Sequence, residues 1–264
     1  MAIHFARLYQ GDQLDKALSR HEHYLFARLG LRSGMRVLDI GCGIGQVAFE
    51  LANLYSVRVV GVDTSENKIQ IARSRAQDLQ LAHRVSFLHA SLTEIIEESV
   101  MGKFDAIYAV ESLAGEPGFE QIYRQCYHLL EPRGIFGVYE WCWTTRFDPL
   151  NNSHCQMANI IEDYAGISRR GPTERLLSTA IKALQKNHFE VIESADLSER
   201  KDSSTHIPWY KLLENAVQSP HFRWPLHHTS GDLTKDAARV LLQAGIYNLF
   251  TPMAMIISRR VDTS

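Results

Sequence analysis

The chain has 264 residues, 45% of them hydrophobic, which is enough to bury the core of one α/β domain that carries an insertion. Its formal net charge of −2 excludes the basic footprint of a nucleic-acid-binding protein, so we expect a small molecule as the partner. The four cysteines, at positions 42, 126, 142 and 155, are too far apart for a zinc site, which predicts no metal and a reducing environment.

The amino-terminal region, residues 1–33, has charged and aromatic residues at helical spacing and predicts a helical cap over a ligand cleft. It lacks the apolar core of a signal sequence, and no segment of the chain approaches the roughly 20 apolar residues that cross a bilayer. We therefore expect a cytoplasmic protein with at most peripheral membrane contact. We also expect it to form a homo-oligomer.

Residues 36–46 combine an apolar run with three closely spaced glycines and the start of a helix. Glycines allow a tight turn and the close approach of a ligand that a Cβ would exclude. A second apolar run ends at Asp63, whose carboxylate can accept hydrogen bonds from both ribose hydroxyls. Strand, glycine loop, helix, strand and acid in this order predict a site for an adenosine-containing cofactor. The alternative is a tight turn that binds no ligand.

The rest of the chain alternates between strand and helix patterns. This alternation predicts a parallel sheet with a ligand cleft at the carboxyl ends of its strands. The predicted elements are strand 36–40, helix 45–54, strand 58–63, helix 65–81, strand 85–90, a short helix near 92–99, strand 104–110, helix 118–130, strand 135–141, helix 174–187, strand 189–195 and a last strand, 250–259, at the sheet edge.

Two segments interrupt the alternation. Residues 145–174 are rich in glycine, proline and polar residues, which favours an inserted lid over another crossover. A second excursion, 200–246, contains three prolines and two helical stretches, around 209–217 and 232–244. We therefore expect one domain over 34–264 that carries both lids.

Several strings of the chain resemble a known family. The glycine loop has the spacing G-x-G-x-G after Leu-Asp-Ile. The string 21–25 (HEHYL) precedes the loop, and the strings 139–144 (YEWCWT), 207–210 (IPWY) and 249–253 (LFTPM) follow it. In this order they resemble the sterol 24-C-methyltransferases. The resemblance implies a Rossmann-like class I methyltransferase sheet, S-adenosyl-L-methionine as cofactor, and methyl transfer to an alkene carbon of a sterol or similar terpenoid, which is a small lipophilic substrate.

Three departures from the family pattern suggest a different or smaller lipophilic substrate. The chain starts near the end of the family's first sterol-contacting region. After the fourth strand, Glu111 is kept but the family's Cys-His pair is absent. Ser91 replaces the acid that accepts the adenine amino group in the family, so its hydroxyl or nearby backbone atoms would have to make that contact.

The candidate cofactor-binding residues lie in the glycine loop and at the ends of the next two strands. They are Asp39, Gly41, Cys42, Gly43, Gly45, Gln46, Asp63, Thr64, Ser91 and Leu92.

Methylation of an alkene places positive charge on a substrate carbon, and a base must then remove a proton. Glu111 and Glu140, at the ends of the fourth and fifth strands, are the candidate bases, and His21 is a further catalytic candidate that could meet the cofactor carboxylate. Each has a structural alternative. Glu111 could bind a helix amino terminus, Glu140 could anchor the lid, and His21 could pack within the cap helix.

Aromatic faces stabilise a cation without trapping it covalently. The candidate substrate-binding residues are Tyr24, Trp141, Trp143, Trp209 and Tyr210. The alternative for Trp209 and Tyr210 is a hydrophobic contact that holds the lid to the sheet.

Two other functions fit the same cofactor domain. One is an O- or N-methyltransferase of secondary metabolism, in which Glu111 or a histidine deprotonates a heteroatom. The other is a cyclase or isomerase that binds the cofactor as a fixed cation and does not transfer the methyl group.

Overall fold

The computed structural model describes residues 4–97, 102–113, 118–164, 171–199, 204–218 and 235–262. The strands are β1 (Leu8–Tyr9), β2 (Arg36–Ile40), β3 (Arg58–Asp63), β4 (Val85–His89), β5 (Phe104–Val110), β6 (Leu130–Trp143), β7 (Phe189–Asp196), β8 (His206–Ile207) and β9 (Phe250–Arg260). The helices are α1 (Leu14–Phe26), α2 (Gln46–Tyr55), α3 (Glu66–Asp78), α4 (Leu92–Glu97), α5 (Phe119–Leu129), α6 (Asn152–Tyr164), α7 (Leu177–Lys186), α8 (Lys211–Gln218) and α9 (Lys235–Ile246).

Seven of these strands form one sheet in the order β4-β3-β2-β5-β6-β9-β7. The pairs from β4 to β6 are parallel, and β9 runs antiparallel to both β6 and β7. The predicted Rossmann-like sheet is confirmed. Chain order reverses between β2 and β5, so the carboxyl ends of these strands border the cleft where ligands of such sheets bind.

The predicted position of the last strand is wrong. β9 lies between β6 and β7, and β7 forms the edge. Nine consecutive residues of β9, from Phe250 to Ser258, are buried, as expected of a strand with a neighbour on each side and packing on both faces. The absence of polar alternation in 250–257 was the sequence signal for an internal position.

Most predicted elements agree with the observed ones within a few residues. β6 is longer than expected, because it begins at Leu130 and continues to Trp143. Residues 172–175 form a 3-10 helix, so α7 starts at Leu177 instead of residue 174. No helix among the described residues is long and apolar enough to cross a membrane.

The amino-terminal region packs directly on the sheet. A Cβ added at Gly137 of β6 would lie 2.5 Å from Leu29 Cδ2 and 3.2 Å from Leu25 Cδ1, so glycine lets this region approach the strand closely. β1 pairs antiparallel with β8 of the second excursion. The predicted boundary at residue 33 stays a prediction, but residues on both sides of it share one core.

Both predicted lids are described in part. The first carries α6, and the second carries α8 and α9; α9 packs against the other two helices. Residues 165–170, 200–203 and 219–234, which belong to the predicted lids, lie outside the described residues.

Leu25→Ala tests whether α1 belongs to the common core. Leu25 is fully buried, so its truncation should lower the free energy of unfolding by about 2 to 5 kcal/mol in urea denaturation followed by circular dichroism. Leu54→Ala, at a side chain that is 51% exposed on α2, is the control and should change it by about 0.5 kcal/mol or less. Equal small losses would mean that the cap folds independently of the sheet.

Candidate active site

The glycine loop connects β2 to α2, and glycine is required at its three glycine positions for different structural reasons. All three adopt positive φ, +72° at Gly41, +54° at Gly43 and +82° at Gly45. A Cβ at Gly41 would lie 2.3 Å from Ser112 Cβ, and one at Gly45 would lie 2.5 Å from Phe87 Cζ. A Cβ at Gly43 would meet no atom within 4 Å. Gly41 and Gly45 therefore serve packing, whereas Gly43 faces open space beside the loop.

Asp63 stands at the end of β3 and joins the loop to the next helix. Its Oδ2 accepts the Gly43 N–H at 3.0 Å, and its Oδ1 accepts the Ser65 N–H at 2.8 Å. The carboxylate thus lies beside the open face of Gly43. An open backbone cradle next to an acid is the arrangement that an adenosine-containing cofactor requires, so the residues present fit one.

The other predicted cofactor residues occupy varied surroundings. Asp39, in β2, and Cys42, in the loop, are both buried; burial raises the pKa of Asp39 to about 7 and raises that of the Cys42 thiol. Gln46 Oε1 accepts a hydrogen bond from Arg75 Nη2 at 2.6 Å. Thr64 is exposed, and its carbonyl oxygen lies 3.1 Å from His89 Nε2.

Ser91 and Leu92 belong to the start of α4. The Ser91 hydroxyl donates to Glu94 Oε2 at 2.8 Å, and the Ser91 N–H donates to the same oxygen at 2.6 Å. This is a capping box, which engages both groups of Ser91 that were expected to reach an adenine. Leu92 is buried in the core cluster beneath the sheet.

Glu111 follows β5, and both its backbone conformation and its carboxylate are constrained. Its φ of +51° is unusual for a residue with a side chain, and such backbone strain concentrates at functional sites. The buried carboxylate accepts the Phe5 N–H at 2.7 Å through Oε1 and the Trp141 indole N–H at 2.9 Å through Oε2. Burial raises the pKa of Glu111 to about 8, against the opposing effects of His4 and these two donors.

A cluster of aromatic rings begins at this carboxylate, with Trp141. We call Phe5, Trp141, Trp143, Trp209 and Phe250 the aromatic cluster; all five are at least 97% buried. Ring centroids are 5.1 Å apart for Phe5 and Trp209, 5.6 Å for Trp141 and Phe250, and 6.1 Å for Phe5 and Trp141. The structure therefore brings three of the five predicted substrate-binding residues into one cluster, and one of them, Trp141, contacts the predicted base.

The remaining predicted residues lie outside this cluster. Tyr210 is half-buried beside Trp209, with ring centroids 5.9 Å apart. Tyr24 lies between two guanidinium groups, at 3.5 Å from Arg28 and 4.8 Å from Arg7. His21 is buried and stacks on Tyr139 at 4.0 Å. Burial and the nearby His4 hold the pKa of His21 well below its usual range, so the imidazole is neutral.

Glu140 projects to the opposite face of β6 from Trp141, because successive strand residues alternate. Its Oε2 accepts from Arg175 Nη2 at 3.2 Å, and Arg175 also donates to the Trp141 carbonyl. Arg175 comes from the 3-10 helix that ends the first lid. These contacts fit the structural alternative for Glu140, in which it anchors the lid instead of acting as a base.

Sequence reasoning missed several members of the site. Phe5 reaches Glu111 from more than 100 positions away, next to the buried His4, and no local pattern shows such a contact. Phe250, which is not among the predicted site residues, pairs in register with Trp143 and thus continues the aromatic cluster. Among the described residues, no group of three or more His, Cys, Asp and Glu side chains could hold a metal ion.

Comparisons with known proteins agree with this geometry. A family model described as a methyltransferase domain matches residues 31–205. The sterol 24-C-methyltransferase of Aspergillus fumigatus is 30% identical, covering 99% of this chain and 75% of that protein; the enzyme named ERG6A of Gibberella zeae is 34% identical, covering 98% and 74%.

Two solved structures show the same fold. Geranyl diphosphate C-methyltransferase from Streptomyces coelicolor A3(2) has a TM-score of 0.75 at 15% identity, covering 99% of this chain and 94% of that one. The 4+2 cyclase SpnF has a TM-score of 0.72 at 23% identity, covering 99% and 89%.

Sheet order, glycine loop and domain match define the chain as a class I methyltransferase. Within this class, the similarity over nearly the whole chain shows that it belongs to the sterol 24-C-methyltransferase-like family. Both predictions are confirmed.

Glu140→Gln tests the lid anchor. The change leaves the buried Arg175 guanidinium without its carboxylate, so the free energy of unfolding should fall by about 3 to 5 kcal/mol in urea denaturation. Glu120→Gln is the matched control, because Glu120 pairs with Lys186 at the surface and should contribute about 1 kcal/mol or less. A loss as small as that of the control would remove the anchoring role.

Proposed function

We propose that this methyltransferase binds S-adenosylmethionine at the glycine loop and methylates an alkene carbon of a sterol-like or other terpenoid substrate. The observation that carries the proposal is the buried Glu111 carboxylate, which is hydrogen-bonded to Trp141 of the aromatic cluster at the carboxyl end of the sheet. The names of the relatives support a sterol-like acceptor, since they methylate carbon 24 of a sterol.

The cofactor, when bound, supplies an electrophilic methyl group. The π electrons of the substrate alkene would form the new carbon–carbon bond to this methyl group as its bond to the sulfonium sulfur breaks and the neutral thioether leaves, and the positive charge would pass to the neighbouring substrate carbon. Trp141, Trp209 and Phe5 stabilise this charge through their ring faces, at roughly 0.5 to 2 kcal/mol for each cation–π contact. None of these rings forms a covalent bond with the cation.

Glu111 completes the reaction as the base. Its carboxylate takes a proton from a carbon next to the cationic centre, and the electron pair of that C–H bond forms the new double bond. The Phe5 and Trp141 donors orient both carboxylate oxygens, and the surrounding rings exclude water that would add to the cation. A pKa near 8 gives a base strong enough to take the proton and still partly ionised at neutral pH.

The lids suit an apolar acceptor. Trp209 from the second excursion and Phe147 from the first both belong to the hydrophobic core cluster that contains Trp141. We propose that these segments enclose the lipophilic part of the substrate. The cytoplasmic location, the homo-oligomeric state and the peripheral membrane contact stay predictions.

Asp63→Ala tests the cofactor site. Loss of the carboxylate removes both the proposed ribose acceptor and the hydrogen bond to Gly43, so the affinity for S-adenosylmethionine in isothermal calorimetry should fall by about 1.5 kcal/mol or more, roughly tenfold. Asp78→Ala, at an exposed position at the end of α3, should bind as the wild type does. Unchanged affinity of the Asp63 variant would reject the site.

Glu111→Gln tests the base. With a sterol that carries a 24,25 double bond as acceptor, turnover should fall by about 100-fold or more, while cofactor affinity stays the same. In the wild type, kcat/KM should rise with pH through about 8, because the ionised carboxylate is the active form and this ratio reports the free enzyme.

Glu162→Gln is the matched control, because Glu162 also accepts a Trp indole hydrogen bond, from Trp143 at 3.4 Å, and it should keep the pH dependence. Wild-type turnover in Glu111→Gln would remove Glu111 from the mechanism.

A further inference from the structure

A second buried charged group lies next to the base. His4 and Glu22 are both nearly fully buried, and His4 Nε2 lies 2.9 Å from Glu22 Oε1. His4 Nδ1 lies 2.8 Å from the carbonyl oxygen of Phe5. A buried ion pair between an amino-terminal segment and α1 costs desolvation, so it is weak evidence for a purely stabilising role.

The two acceptors assign the protonation state of His4. A carbonyl oxygen can only accept, so Nδ1 carries a proton. Nε2 faces a carboxylate, which accepts the second proton in a charge-assisted hydrogen bond. Burial alone would lower the pKa of His4, but the carboxylates of Glu22 and Glu111 outweigh it and the pKa is raised. The raised pKa and the two acceptors together favour the imidazolium form of His4, while burial and the neighbouring Glu50 raise the pKa of Glu22.

His4 is tied to the base through the chain itself. The next residue, Phe5, donates its N–H to Glu111 Oε1 at 2.7 Å, so any movement of His4 moves a donor of the base. The ionisable groups whose charges act on Glu111 are His4, from the amino-terminal segment, and Glu140, which lies on the other face of β6. Those that face His4 are Glu22, Glu111 and the neutral His21, whose ring centroid lies 5.9 Å away. His4 is therefore the cation of this group.

We propose that His4 is a positioning residue for the Glu111 base: held by Glu22, its imidazolium favours the ionised form of the Glu111 carboxyl and keeps the Phe5 N–H directed at it. This inference rests on the proposed function of Glu111. An ionised carboxylate inside an aromatic cluster needs a nearby cation, because the rings offer no dielectric screening and the carboxyl would otherwise retain its proton. His4 supplies that cation without contacting the substrate.

The indole N–H of Trp141 reports the ionisation of Glu111 without any substrate, since it donates to Glu111 Oε2. The protein has four tryptophans, so its ¹⁵N-tryptophan spectrum holds four indole signals, and loss of one in Trp141→Phe assigns the reporter. In the wild type this signal should shift with a midpoint near pH 8, and the shift should vanish in Glu111→Gln.

His4→Gln should raise this midpoint by about one pH unit, which corresponds to about 1.4 kcal/mol, because the change removes the cation that favours the ionised carboxylate. His4→Lys, which restores a cation, should bring it back toward the wild-type value. His83→Gln, the same change at an exposed histidine between α3 and β4, should leave it unchanged. The acid limb of kcat/KM should move in parallel with the midpoint.

An unchanged midpoint in His4→Gln would overturn the proposal, as would a wild-type signal that does not titrate between pH 6 and 10. If His4→Gln does not fold, Glu22→Gln gives the same test. This change keeps an acceptor for the His4 ring and removes the negative charge that holds the second proton on it. A midpoint that does not rise in Glu22→Gln overturns the proposal. Failure of the proposed function would look different. The Glu111→Gln variant would keep wild-type turnover, while the Trp141 signal of the wild-type protein would still titrate with Glu111.

Discussion

The structure depends on keeping one carboxylate, that of Glu111, buried among aromatic rings. A buried carboxylate is costly unless donors satisfy it, and here one donor comes from β6 and one from the amino-terminal segment. A third contact, from the Glu111 N–H to the Tyr139 carbonyl at 2.9 Å, fixes the strained backbone. The site is therefore complete only when strand ends, cap and amino-terminal segment are all in place.

The same constraint joins the base to the cofactor loop. Ser112, the neighbour of Glu111, donates to the carbonyl of Ile40 at the end of β2, and its side chain occupies the space where a Cβ of residue 41 would lie. Gly41 is thus required for the packing of the base segment, and Gly43, two positions later, leaves room for the ligand. The methyl donor site and the proton acceptor are consequently held on adjacent strands, β2 and β5, by direct packing.

The sequence was sufficient for features that depend on local pattern. Alternating periodicity located the strands, and glycine spacing followed by Asp63 located the loop, because both reflect backbone requirements within about 30 residues. Contacts between distant segments were not predictable. No sequence pattern links Phe5 to Glu111 or Glu140 to Arg175. The face of the sheet to which each β6 side chain points follows from the strand register, and this register places Trp141, not Glu140, against the base.

The most direct test of the account is the fate of a labelled methyl group. Purified enzyme is incubated with trideuteromethyl-labelled S-adenosylmethionine and a panel of sterols and acyclic terpenes, and the products are analysed by mass spectrometry and NMR. The account predicts a product with the intact CD₃ group bonded to a former alkene carbon and with one proton lost from the substrate. A label on oxygen or nitrogen, or a rearranged product without label, would contradict it.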